Sequence, residues 1–180
     1  MNLFLVGLSK KVKNCLGLSG IWSAVHRDVN GNIVDEVVWH NLVTDEGYNH
    51  ILGVVCHNSG QIHPWYIEPF IDDYTPAETN TYNSPGYTPA TDTHYTETGR
   101  QEWPEDAPSG TSISNSSAVV ITAATTVTFY GMGLVGGGTS ITTKGDISGG
   151  GVLLSSGRFS TAKTLDAGET LGITYTLQKA

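Results

Sequence analysis

The C-terminal part of the chain places the strongest constraint on its fold. From Thr111 onward, four apolar segments follow one another, separated by short turns: SAVVITA, TVTFYGMGLV, GVLLSSGRF and TLGITYTLQ. Strands at this spacing, without helices between them, favour an antiparallel sandwich or barrel over a parallel α/β sheet. Charged residues make up only 14% of the sequence, and its 22 glycines suit the many turns of an all-β protein. We therefore predict a mainly β protein whose antiparallel β-sandwich has a jelly-roll or immunoglobulin-like strand order.

An N-terminal hairpin precedes these segments. Apolar and polar residues alternate over 22–27, and a second strand-like run follows over 33–40. Between the two runs lies Asn30-Gly31, the preferred pair for a two-residue turn with positive φ at both central positions. We therefore predict a β-hairpin closed by this pair.

One short helix follows the hairpin. Thr44 is a candidate N-cap, and Asp45 and Glu46 would complement the helix dipole in the first turn. Apolar residues then recur at helical spacing as far as Val55. The pattern predicts a three-turn helix that ends near residues 58–60 and packs on the sheet, with Cys56 buried at its end. The segment HPWYIEPFI after it reads as a strand whose prolines suit a sheet edge or a strand end.

The first eighteen residues form a separate basic segment. We predict an arm over 1–18 and one sandwich domain over 19–180, because 180 residues suit a single domain. Apolar residues of the arm recur at helical spacing, with lysines on its other faces. Three placements are open for such a helix: on its own domain, on a neighbouring subunit, or on a membrane surface. The residues that we assign to arm contacts are Leu5, Leu8, Lys10, Lys11, Val12 and Lys13.

Residues 72–109 differ from the rest in holding many prolines and acids and showing little alternation. We predict a long surface excursion with one or two short strands near DTHYTET and RQEW. Loops of this length are often functional or become ordered on a partner. Its aromatic side chains either face a protein or a sugar or fold back over the sandwich, and both alternatives stay open. These residues are Tyr74, Tyr82, Tyr87, Tyr95 and Trp103.

The charge distribution restricts the class of partner. Residues 28–106 hold fourteen acids and only one base, Arg100. Such a body repels polyanions, so we expect no specific nucleic-acid binding. The apolar run at the N-terminus is too short to cross a bilayer and does not resemble a secretory signal, so we expect no membrane partner. Cys15 and Cys56 favour reduced thiols, although a disulfide between them stays an alternative.

The glycine-rich stretch over 133–159 tests for enzymatic chemistry. Lys144 follows Thr143 and precedes Gly145, so the order that a phosphate-binding P-loop requires is missing. Gly131, Gly133 and Gly136 match a dinucleotide fingerprint, but turn and strand follow them where a helix is needed. The sequence shows no nucleophile elbow and no zinc-ligand spacing. We therefore predict close backbone approaches and turns here, and neither catalytic residues, cofactor nor metal.

Four segments together resemble small virion structural proteins of tailed bacteriophages. They are NLVTDEGYNHIL, WYIEPFIDDYTP, YTETGRQEW and the stretch GLVGGG…KGD…GGGVLLSSGRFS…LDAGETLGITYTL. The resemblance runs from about residue 20 to 177 and rests on the order and spacing of the segments. It implies a non-enzymatic part of a particle that is present in many copies.

The resemblance leads to an expected function. We expect a capsid decoration or cement protein that forms a homo-oligomer, contacts the major capsid protein or other virion proteins, and is assembled in the host cytoplasm. One alternative is a neck, tail or fibre-associated module that binds a receptor through the excursion. A remote alternative is a glycan hydrolase that uses two of the many carboxylates.

Overall fold

The structure is a computed structural model that describes residues 17–180, so most of the predicted arm lies outside the described residues. The described elements in chain order are β1 (Leu18–Arg27), β2 (Ile33–Val43), α1 (Asp45–Cys56), β3 (Trp65–Phe70), β4 (Gln101–Glu102), β5 (Ser112–Ser114), β6 (Val119–Thr122), β7 (Val127–Gly136), β8 (Val152–Leu165) and β9 (Thr170–Lys179). The four C-terminal segments predicted as strands correspond to β6, β7, β8 and β9. The strand β3 and the helix α1 also lie where they are predicted.

The strands form two packed layers that β2 joins. The hydrogen-bonded order is β4-β3-β7-β8-β2-β1-β9-β5, β6 also pairs with β9, and every pairing is antiparallel. Strand β2 pairs with β1 along most of its length but with β8 only at Leu42 and Val43. We call β2, β1, β9, β5 and β6 layer one, and β8, β7, β3 and β4 layer two. The predicted mainly β, antiparallel sandwich is confirmed.

Aromatic side chains dominate the core between the layers. Trp22 and Tyr175 are register partners on β1 and β9, and their ring centroids lie 4.3 Å apart. Trp39 of β2 meets Phe159 of β8 edge-to-face at 4.4 Å, which links layer one to layer two. Each such side chain removes a large apolar area from water, so these residues contribute much of the core's stability.

The hairpin is confirmed, but its turn differs from the predicted one. The loop is closed by hydrogen bonds from Gly31 N to Asp28 O (3.0 Å) and from Asp28 N to Asn32 O (2.9 Å). Only Gly31 has a positive φ, +85°, so the loop is the three-residue type with glycine in the left-handed region. The Asp28 carboxylate explains the difference, because its Oδ1 accepts hydrogen bonds from the backbone N–H groups of Asn30 and Asn32.

This turn predicts a pH dependence. The Asn32 side-chain amide, followed by its backbone N–H, lowers the pKa of the Asp28 carboxyl below its ordinary value of 3.8. Since folding lowers this pKa, the carboxylate stabilises the native state above pH 3.8, and the contribution is lost as the pH falls through the lowered value. We expect an NMR titration of Asp28 to give a midpoint below 3.8, and Asn32→Ala to move it upward. A midpoint that Asn32→Ala leaves unchanged would contradict this account of the turn.

The helix α1 begins as predicted. Thr44 is buried, and its Oγ1 accepts a hydrogen bond from Gly47 N at 3.0 Å, which caps the first turn. Gly47 lets the helix approach β8 closely, because a Cβ there would lie 2.3 Å from the carbonyl oxygen of Leu154. The prediction that Cys56 is buried is wrong: it is exposed at the end of α1, where the helix leaves the sheet. Cys15 lies outside the described residues.

Candidate functional site

The excursion over 72–109 packs on the molecule. The excursion contains one strand, β4, which lies at the predicted RQEW. The predicted strand near DTHYTET is reduced to a single pair of bridged residues, Tyr95 and Ala123. Four of the five aromatic residues are at most 5% exposed, so the alternative that they contact a partner is wrong for them and the alternative that they fold back over the sandwich is correct: Tyr82, Tyr87, Tyr95 and Trp103. Tyr74 is half-buried. The excursion is therefore a cover rather than a projecting arm.

Glycines of β7 make room for this cover. Met132 and Leu134 point into the core, so the alternate positions Gly131 and Gly133 face the opposite side of layer two. A Cβ at Gly133 would lie 2.4 Å from the Tyr87 hydroxyl oxygen, and one at Gly131 would lie 2.2 Å from Phe70 Cζ. The predicted close backbone approaches at these two glycines are confirmed.

A buried ion pair attaches the cover, residues 72–109, to layer two. Glu68 of β3 and Arg100 of the excursion are 2% and 4% exposed, and they form a salt bridge. Tyr87 donates to the second Glu68 oxygen at 3.0 Å. The Arg100 guanidinium also donates to the Tyr82 hydroxyl and to the carbonyl oxygens of Ile141 and Asp146. One cation thereby joins β3, the excursion and the glycine-rich segment.

The ionisation of this cluster follows from its enclosure. Burial raises the pKa of the Glu68 carboxyl, and the charge of Arg100 opposes that rise. Burial likewise raises the pKa of the Tyr87 hydroxyl well above its ordinary value, and the neighbouring Glu68 adds to the effect. Both Glu68 oxygens have protein partners, and the group is enclosed, so a substrate could not reach this carboxyl without movement of the cover.

The glycine-rich segment has the wrong polarity for a phosphate site. A phosphate cradle directs backbone N–H groups at the ligand, whereas the carbonyl oxygens of Ile141 and Asp146 are directed at Arg100. The ammonium of Lys144 is likewise engaged: it donates to the carbonyl oxygens of Tyr95 (2.8 Å) and Glu97 (2.5 Å), and pairs with Asp92 (2.9 Å). The segment connects β7 to β8 and holds the cover in place.

The outward side of layer one presents exposed apolar side chains to solvent. Strand register places Val38 beside Ser23 and Ser23 beside Thr174 in one row. The next row runs from Glu36 through Val25 and Gly172 to Val120. Val38 and Val120 are 67% and 48% exposed. We call these side chains the open face: Ser23, Val25, Glu36, Val38, Val120, Gly172 and Thr174.

The hairpin extends this surface. Val29 in the turn and Ile33 and Val34 at the start of β2 are exposed large apolar residues. Together with Val38 they form a group of apolar side chains on one hairpin, and Glu36 is the only acid of the open face. Clusters of exposed apolar residues on a soluble protein often mark surfaces that bind other proteins.

The alternation of apolar and polar residues in the sequence predicted part of the open face. The alternation over 22–27 identifies two faces of β1 but does not state which one is covered. The core position of Trp22 decides that Ser23 and Val25 face outward. The exposure of Val38 and Val120 depends on the strand order, which local patterns do not contain.

Among the described side chains, no group of three or more His, Cys, Asp or Glu residues is arranged to hold a metal ion. Within residues 17–180 there is no helix with the length and apolar character of a membrane span. The predicted arm contacts at positions 5–13 lie outside the described residues.

Comparison of the chain with protein-family models and with curated protein sequences finds no match.

Proposed function

We propose that the protein is a structural component of a tailed-bacteriophage virion, a capsid decoration protein that binds shell subunits through its open face and hairpin. The observation that carries the proposal is the group of exposed apolar side chains Val29, Ile33, Val34 and Val38. The centres of protein–protein interfaces are depleted in charged residues, and Glu36 is the one charged residue of the open face. The resemblance of the chain to small virion structural proteins is the reason for proposing a virion as its location.

The proposed mechanism is mechanical. The aromatic core holds the two layers in one arrangement and the buried Glu68–Arg100 pair holds the cover on layer two, so little ordering entropy is lost when the open face binds. Many copies on a regular shell would then turn modest single contacts into a strong total attachment. An interface of about 1,200–2,000 Å² is the ordinary size for such a contact.

The alternatives have less support. A receptor-binding module was expected to use the aromatic residues of the excursion, and four of those five are buried. The buried Glu68 carboxyl is not accessible to a glycan, because Arg100 and Tyr87 bond its oxygens. A decoration role therefore remains the function that the accessible surface supports best.

The open face predicts a binding defect. We expect Val38→Asp to lower occupancy on purified particles roughly tenfold, since an unpaired charge at an apolar interface costs at least about 1.4 kcal/mol. Leu52→Asp is the matched control, because Leu52 is 50% exposed but lies on α1, away from the open face. Occupancy is measured by quantitative mass spectrometry against the major shell protein. We expect hundreds of wild-type copies per particle.

Two outcomes would contradict the proposal at different levels. A count of about a dozen copies would reject decoration and place the protein at the portal, neck or tail. A high count that Val38→Asp does not reduce would keep decoration but reject the open face as the contact surface.

A further inference from the structure

An apolar groove lies between α1 and the end of the sandwich. Its volume is about 350 Å³, and both layers, α1 and the segment before β3 contribute to its lining. The apolar lining includes Ile51, Val54, Ile62, Trp65, Ile113 and Leu177. Four of these six side chains also pack against the core, so the groove continues the core outward. Burial of this lining would add hydrophobic stabilisation that the described residues alone do not supply.

The chain enters the sheet beside this groove. The Tyr48 hydroxyl of α1 accepts a hydrogen bond from Leu18 N and donates one to Leu18 O, both at 3.2 Å. Tyr48 lies one helical turn before Ile51, whose side chain lines the groove. Gly20 is the register partner of Leu177, which lines it from the other side. The start of β1 therefore lies beside two elements that line the groove, α1 and β9.

Residues 1–16 combine apolar and basic side chains that would complement the groove. Leu5, Leu8 and Val12 recur at helical spacing, and three lysines over positions 10–13 accompany them. The groove edge carries Glu105, which pairs with His63 at 2.9 Å, and the body of the protein is acidic. An apolar stripe with basic flanks matches an apolar groove in an acidic body.

We propose that the groove binds residues 1–16 of the same chain, with Leu5, Leu8 and Val12 against its apolar lining. The same chain is the occupant because Leu18 is fixed next to α1, which gives the preceding residues a high effective concentration at the groove. The inference is independent of the proposed function. It assigns residues 1–16 to the protein's own domain and leaves the open face as a separate surface.

Cross-linking within the full chain tests the inference. Cys56 is exposed beside Val55, a groove residue, and supplies one attachment point. In a Cys15→Ser background, Leu8→Cys is treated with a bismaleimide that spans about two helical turns, roughly 11 Å. We expect an intramolecular product that links position 8 to Cys56. It should form at least roughly tenfold faster than the corresponding product of the control Val29→Cys, which lies beyond the opposite end of β1.

A second substitution shows whether the apolar stripe is responsible. Adding Leu5→Asp and Val12→Asp to the Leu8→Cys chain should reduce the intramolecular rate to that of the Val29→Cys control, with circular dichroism confirming that the sandwich is intact. Three results would overturn the inference: a rate for Leu8→Cys equal to the control, cross-linked dimers as the main product, or a rate that the two aspartates leave unchanged. Dimers would mean that a neighbouring copy supplies the segment.

Discussion

Replacing Arg100 with methionine is expected to lower the free energy of unfolding by about 3–5 kcal/mol, because it leaves the Glu68 carboxylate buried without its partner. Arg100 is also the donor for the carbonyl oxygens of Ile141 and Asp146, so the substitution removes bonds to the glycine-rich segment. Urea denaturation followed by tryptophan fluorescence measures the change. We expect the excursion to become sensitive to proteolysis at the same time.

A double substitution separates the charge from the packing. Glu68→Gln combined with Arg100→Met removes both charges, so we expect it to be less destabilising than Arg100→Met alone. Arg27→Met is the control, since Arg27 is exposed on the hairpin and its loss should change stability by no more than about 0.5 kcal/mol. If Arg100→Met and Arg27→Met cost the same, the ion pair does not hold the cover.

The second large effect is expected at Gly131. A Cβ there would lie 2.2 Å from the carbonyl oxygen of Gly157 and 2.2 Å from Phe70 Cζ. The Gly157 oxygen belongs to the adjacent strand β8, so relief requires backbone movement. We expect Gly131→Ala to lower the free energy of unfolding by about 3 kcal/mol, the upper end of the usual range for overpacking. Thermal and urea denaturation both measure this quantity.

Gly60 provides the matched control for this substitution. A Cβ at Gly60 would meet no atom within 4 Å, and its φ is not in the left-handed region. We expect Gly60→Ala to be neutral or to stabilise the protein by less than about 1 kcal/mol, because alanine restricts the unfolded chain. Equal stabilities of the two variants would show that β7 and β8 can separate freely at Gly131.

Sequence patterns predicted those helices and strands that depend on interactions between residues close together in the chain. Alternation located β1 and the start of β2, and the N-cap threonine with two following acids located α1. The strands β6 to β9 were visible because apolar, β-branched runs are separated by turns, and the turns before β8 and β9 contain glycine. In each case the deciding interactions lie within a few residues along the chain.

The role of the excursion could not be predicted in this way. Tyr87 is buried because Gly133, far away in the sequence, leaves space for its ring, and Arg100 is buried because Glu68 neutralises it. Neither of these two contacts can be recognised from neighbouring residues in the sequence. The acids and prolines around Tyr87 and Arg100 instead favoured the prediction of a solvated loop. The hairpin turn was misjudged for a smaller reason, since the Asp28 carboxylate selects a longer loop than Asn30-Gly31 alone prefers.

The position of β9 has a consequence for how the protein is made. Strand β1 needs β9 as a partner along its whole length, and β5 and β6 also pair with β9. A ribosome delivers β9 last among these strands, so layer one cannot close until β9 has been synthesised. Pairing between segments so distant in sequence is also slow, in the range of milliseconds to seconds for β-sandwiches. Until β9 arrives, the edge of β1 that faces away from β2 is unpaired, and rapid synthesis of many copies would make this interval the step most prone to aggregation.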